Sequence, residues 1–270
     1  MLLFKRPQKP NDFESKVLSA KVRIENIINQ GQIPTSKDFK PKWTDFKTLF
    51  QEAQNHKCGY CESSVTSVTH GDMEHYYPKT EIKGFKSHGE EQLNSSKVRG
   101  RTFFIISNMG YWWKAYEWEN YLFSCPSCNQ SWKLNLFPVL KRNLPLAEND
   151  YKDEKPLLLN PFGRKKPSTH FNYGEFGEII AKNNSKYGRA TIEVCGLDRA
   201  SLRLARKSIA KQIFRLIVEF DNSLTEKELI TVCKRIHDLG DEEATFPGMV
   251  RTIFENKMGM KWEEISMIIS

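Results

Sequence analysis

Apolar residues return at helical spacing from Phe13 to Gln30, at Phe13, Val17, Leu18, Val22, Ile24, Ile27 and Ile28. That repeat predicts an amphipathic helix, with Asn11 or Asp12 placed to cap it. Trp43, Phe46, Leu49, Phe50 and Ala53 predict a second helix over about Trp43 to Asn55. These helices serve either as scaffold or as a partner surface. Far downstream, Leu202, Ala205, Ile209, Ile213, Leu216 and Phe220 form one stripe of a long helix from Arg199 to about Phe220, with Asp198 as its expected N-cap. Arg199, Arg203, Arg206, Lys207, Lys211 and Arg215 charge its other sides, for phosphates or simply for water. Thr225 and Glu228 make a capping box for a helix to about Leu239, and a last helix is expected from Pro247 to Met258.

The pattern between the helical ends is different. Val65 to Tyr77 is β-rich and reads as a strand or hairpin arm that Pro78 ends. Residues 80–110 are polar and read as a long surface loop, with a short strand or helix start at Phe103 to Ile106. Residues 139–156 read as a connector, and Pro156 to Phe162 as a buried apolar turn. Phe171 to Ala181 reads as a hairpin punctuated by Gly174 and Gly177. The whole predicts an α+β chain, mainly α-helical, with three parts: a helical segment 1–56, a central module 57–140 and a mostly helical region 141–270.

Composition narrows this picture in two ways. No run of about 18 apolar residues is present, and the start is too short in apolar residues for a signal peptide, so a cytoplasmic protein without membrane partners is expected. The net charge of +8 favours a polyanionic partner, nucleic acid first.

The chemistry concentrates between Cys58 and Pro138. Four of the six cysteines form two C-x-x-C pairs, Cys58/Cys61 and Cys125/Cys128, the spacing a tetrahedral zinc needs. Gly59 suits the first turn through its tolerance of positive φ. A thioredoxin-like redox reading needs one such pair beside a βαβ pattern, which is missing here. Cys195 and Cys233 stand alone and read as small buried apolar residues. Between the pairs lie Asp72, Glu74 and His75. Adjacent strand residues point to opposite faces, so Glu74 and His75 share a site only if the strand bends, which Pro78 makes plausible. Phosphodiester hydrolysis needs a base such as His and a cation such as Mg²⁺, which prefers carboxylate and amide oxygens. Asn120 and Asn129 supply amides, and a helix is expected from about Asn129 to Leu136. The aromatic run Tyr111 to Tyr121 is either a base-stacking platform or packing around the zinc module. His56, His70, His88, His170 and His237 read as surface or structural residues.

The order C-x-x-C, D-M-E-H-Y-Y-P-K, Asn, C-x-x-C-N, Lys resembles the HNH endonuclease family with its ββα-metal fold. The segments Y-W-W-K-A-Y-E-W-E-N-Y-L-F-S-C-P-S-C-N and L-L-L-N-P-F are similar to the HNH nuclease subunits of Septu-type antiphage systems, a subfamily that also occurs beside retrons. The resemblance implies His75 as general base and Asn120 as the residue that helps hold it. It implies Glu74, at a position more often Asp, and Asn129 as ligands of a catalytic Mg²⁺ or Mn²⁺, with Asp72 in support. Lys133, with Lys79, is implied to contact nucleic acid, and the four cysteines to hold structural zinc. The implied substrate is DNA and the implied partner an ABC-type ATPase subunit (PtuA-like), with a retron DNA–RNA molecule where one is present. No G-x-x-x-x-G-K-[ST] occurs, so any ATP dependence comes from the partner. Two other readings stay open: a zinc ribbon that only binds nucleic acid or protein, and an adaptor whose nuclease site is vestigial.

Overall fold

The computed structural model describes residues 1–67, 69–86, 96–98, 101–142 and 151–270. Parts of the expected surface loop (87–95 and 99–100) and of the expected connector (143–150) lie outside the described residues, as do Val68 and His88. The first helix, α1 (Phe13–Asn29), buries Phe13, Val17, Ala20 and Ile24. Leu18 and Val22 face solvent, because that buried stripe is narrower than the full set of apolar positions. Asp12 offers no side-chain cap and pairs with Lys16 instead. A 3₁₀ turn, Lys42–Phe46, precedes α2 (Lys47–Ala53). The Phe13 ring meets Phe46, Trp118 and Tyr121, so α1 closes over the centre of the chain.

Five short strands follow: β1 (Asp72–His75), β2 (Ile82–Lys86), β3 (Ser96–Val98), β4 (Arg101–Ser107) and β5 (Tyr121–Ser124). β1 and β5 form an antiparallel pair in which His75 faces Tyr121 and Glu74 faces Leu122. β2, β4 and β3 form a second antiparallel sheet in that order, where the sequence suggested a loop with a short strand or helix start only at Phe103 to Ile106, which lies inside β4. The pairing is long-range, and the polar residues of this stretch hide it from any local pattern. β1 is also shorter than its β-rich sequence suggests, since Thr66 and Ser67 turn rather than extend. The aromatic run packs inward: Tyr111, Trp113, Tyr116, Trp118 and Tyr121 are buried, as the packing reading has it.

The hairpin β6 (Phe171–Tyr173) and β7 (Ile179–Ala181) leads into α3 (Lys186–Cys195), whose first turn is capped by Ser185. Then come α4 (Ala200–Asp221), α5 (Glu226–Leu239), α6 (Pro247–Met258) and α7 (Trp262–Ile269). Thr225 and Glu228 form the capping box of α5. Asp198 does not cap α4; its carboxylate accepts from Ile179 N and Arg203 Nε, fastening the hairpin to the helix. The buried face of α4 is Leu202, Arg206, Ala210, Ile213, Leu216 and Ile217, and Ala205 is exposed. Arg206 is not on a phosphate-facing side: it is buried and donates to the carbonyls of Gly177 and Leu197. One continuous apolar core takes in residues from Met1 to Ile265. Among the described residues no helix is long and apolar enough to cross a membrane.

Candidate active site and metal centre

β5 carries the site at both of its ends. Its last residue, Ser124, is followed by Cys125 and its first, Tyr121, lies across from His75. Phe123 is pinned from the side of the first cysteine pair: Gly59 N donates to its carbonyl at 3.0 Å, and Gln54 both donates to that carbonyl and accepts from Phe123 N at 2.8 Å. Gly59 is favoured by close approach, since an added Cβ would sit 3.0 Å from side-chain atoms of both Gln54 and Pro161, which would have to give way. The positive φ of this knuckle falls on Glu62 instead (+63°). The knuckles bring the ligand sulfurs of Cys58, Cys61, Cys125 and Cys128 within 4.8 Å of one another. Cys61 Sγ and Cys125 Sγ are 3.9 Å apart. Zinc–thiolate bonds of about 2.3 Å put the sulfurs of a tetrahedron about 3.8 Å apart, so the donor set fits zinc in number, chemistry and spacing. Among the described residues these cysteines are the one group of three or more Cys, His, Asp or Glu ligand atoms close enough to share an ion.

From Ser127 to Lys133 the chain makes a short π-helical turn that includes Cys128, and not the expected helix to Leu136. Leu134 takes φ +49° and Leu136 bridges to Lys83, which stops the helix one turn in. The turn presents Asn129 and Gln130 to β1. Both donate side-chain amides to Asp72 Oδ2, at 3.1 and 2.9 Å.

A cleft of about 240 Å³ opens between β1 and this turn, lined by Glu74, His75, Lys79, Asn129, Gln130 and Asn135 among others. Glu74 and His75 both reach it although their partners differ. Glu74 is buried and pairs with Lys133, whose Nζ lies 2.5 Å from Oε1 and also donates to His75 O at 3.0 Å. Lys133 is thus committed inward, and the free phosphate contact expected of it is not what the structure offers. His75 Nε2 lies 3.0 Å from Ala115 O, which can only accept, so Nε2 carries the proton and Nδ1 keeps its lone pair. Lys79 Nζ stands 3.4 Å from that Nδ1 and 4.6 Å over the Trp43 ring. The His75 ring is walled edge-on by Trp43 and Tyr121. Burial first, and Lys79 second, hold the imidazole well below its ordinary pKa, so it is neutral at neutral pH. Burial lowers Lys79 to about 8 and raises the Glu74 carboxyl, against the pull of Lys133.

Asn120 lies outside the cleft. It is buried, accepts from Tyr77 N at 2.7 Å and donates to Tyr77 O and Lys114 O, so it braces the chain on both sides of the His75 hydrogen bond. Trp43 and Ala115 were invisible as site residues in the sequence. Trp43 reads there as part of a helical stripe, and Ala115 acts through its backbone.

This chain is 33% identical over 197 residues to the Septu protein PtuB of Bacillus mycoides (strain KBAB4). Over that stretch the chain is similar to PtuB. The matched residues are 73% of the chain and 61% of the relative, so the match spans less than two thirds of that protein's length. No family model and no solved structure matches the chain.

Proposed function

We propose that the chain is a metal-dependent endonuclease of the HNH type, which hydrolyses DNA phosphodiester bonds as the effector of a Septu-like antiphage defence complex. The observation that carries this reading is His75, which lines the cleft and whose Nε2 lies 3.0 Å from Ala115 O, so that Nδ1 is left as the basic nitrogen. Such a group takes the proton of an attacking water as the new P–O bond forms. Asn120 acts as a positioning residue for it. Lys79 supplies positive charge beside Nδ1, where a phosphate oxygen would lie. Glu74 and Asn129 offer a carboxylate and an amide oxygen to the same cleft, a donor set that suits Mg²⁺ or Mn²⁺, which keeps most of its waters. When bound, that ion would stabilise the negative charge that develops on the phosphoryl and leaving oxygens. Asp72 supports Asn129. The four cysteines hold zinc in a structural role. The relative's place in a Septu system supports an ABC-type ATPase of the PtuA kind as partner, with a retron DNA–RNA molecule where the system has one.

Plasmid cleavage tests this reading. Wild-type chain and His75→Ala are compared in Mg²⁺ or Mn²⁺, alone and with the neighbouring ATPase. Metal-dependent nicking or linearisation that His75→Ala abolishes is expected. A folded His75→Ala protein that cleaves like wild type removes His75 as the base, and one that has lost cleavage but retains full defence activity refutes the nuclease and favours the adaptor.

A further inference from the structure

The four-cysteine site has a neighbour from the C-terminal region. Arg199 lies just before α4, and its Nη1 is 3.5 Å from Cys128 Sγ, 3.3 Å from Cys195 O and 3.0 Å from Gly196 O. Among the described residues it is the one basic side chain that donates to a cluster sulfur. Cys128 is fully buried, and its sulfur is also 3.7 Å from Cys195 O. Gly196 ends α3 at φ +58°, and an added Cβ there would strike the ring of Trp132 in the π-helical turn. The end of α3, the second knuckle and the start of α4 therefore meet at one guanidinium.

A divalent ion on four thiolates carries a net charge of −2, which is costly to bury without compensation. The Cys128 backbone N–H relieves part of it by donating to Cys125 Sγ at 3.4 Å. A carbonyl beside the cluster works in the other direction, since its oxygen repels thiolate charge. Arg199 answers both, because one guanidinium nitrogen, Nη1, lies within reach of the sulfur and of both carbonyls.

We propose that Arg199 is a positioning residue of the metal centre: it balances the charge of the metal-bound thiolates, chiefly at Cys128, and ties metal occupancy to the packing of α3 and α4. The proposal rests on the reading of the four cysteines as a zinc site, and the experiment separates the two. The full chain is purified as wild type, Arg199→Gln, Arg199→Lys and, as a control, Arg203→Gln, which removes a neighbouring charge that pairs with Asp198 and donates to no cysteine sulfur. Zinc content comes first. A folded wild-type chain without zinc would overturn the zinc reading itself, and this proposal with it. Zinc release to a chromogenic chelator is then followed. Groups that support metal ligands in this way commonly contribute 10- to 100-fold in affinity, so Arg199→Gln is expected to release zinc roughly tenfold faster or more. Arg199→Lys should fall between it and wild type, and Arg203→Gln should match wild type. Cobalt substitution gives a readout that packing alone would not move. Loss of the cation raises the energy of the sulfur lone pairs, so the thiolate-to-cobalt charge-transfer band of Arg199→Gln should move to longer wavelength, and Arg199→Lys should restore it. Should Arg199→Gln not fold, Arg199→Lys carries the test through its release rate. Wild-type release with an unmoved band in Arg199→Gln, or wild-type release in Arg199→Lys where only that variant folds, would overturn the proposal.

Discussion

Lys133→Met would break the ion pair at the floor of the cleft. The two side chains are 1% and 5% exposed, so the carboxylate left behind has little water to turn to. Removing one partner of a buried pair costs about 3–5 kcal/mol, because the remaining charge is uncompensated. At about 2–3 °C per kcal/mol, the melting temperature should fall by roughly 6–15 °C. The pH dependence identifies the cause. Burial already holds Glu74 above the ordinary carboxylate range, and Lys133 is the main opposing influence. Without Lys133 that carboxyl moves further up. A carboxyl raised in the folded chain adds stability below its unfolded pKa, and that stability is lost as pH rises through the folded value. The deficit of Lys133→Met should therefore be larger at pH 7 than at pH 5. Adding Glu74→Gln should recover much of it, since no charge is then stranded. Calorimetry on the three proteins at both pH values decides the matter. A shift under about 2 °C at pH 7, or a deficit that is the same at both pH values, would mean that the pair is not buried as described.

Two other outcomes test separate parts of the structure. The base His75 is held neutral by burial and by Lys79, so the acid limb of kcat/KM for cleavage should lie below pH 6.5, the ordinary value for histidine. A limb above that value would assign the base elsewhere. Thr225→Ala removes the side chain that caps α5 and should cost about 1 kcal/mol in urea unfolding, with cleavage unaffected. An unchanged urea midpoint would show that the cap contributes nothing.

Periodicity served where an element's own residues decide its form. The capping box places the start of α5, and Pro247 the start of α6, because each signal acts within a turn of where it stands. The cysteine pairs were legible for the same reason, as their spacing alone lets two short turns meet at one ion. What failed to show depends on residues far apart in the chain. β2 and β4 hold each other across an intervening stretch of polar sequence. Lys133 sits 59 residues beyond Glu74, so nothing local marks its ammonium as an internal partner rather than a surface contact. Arg206 and Arg199 likewise look like surface charge on a helix until the backbone carbonyls that recruit them come into place.

The two halves of the site are one mechanical unit. β5 runs from the residue opposite His75 to the residue before Cys125, and the first knuckle grips it midway at Phe123. An ion on the four cysteines would fix both knuckles, and through them the register that sets His75 against Tyr121 and Glu74 against Leu122. Register is all that keeps each side chain of a strand pair on its proper face. Chelation of zinc should therefore release residues 72–75 and 121–124 together to rapid amide exchange. α5 and α7 bury their apolar faces against each other and against α4 and α6, so their amides should stay protected longer. Cleavage should be lost with the first group, before the helices open. If residues 72–75 remained protected in protein shown to have lost its zinc, β1 and β5 would be holding their register by packing alone, and the metal would have no part in placing the base.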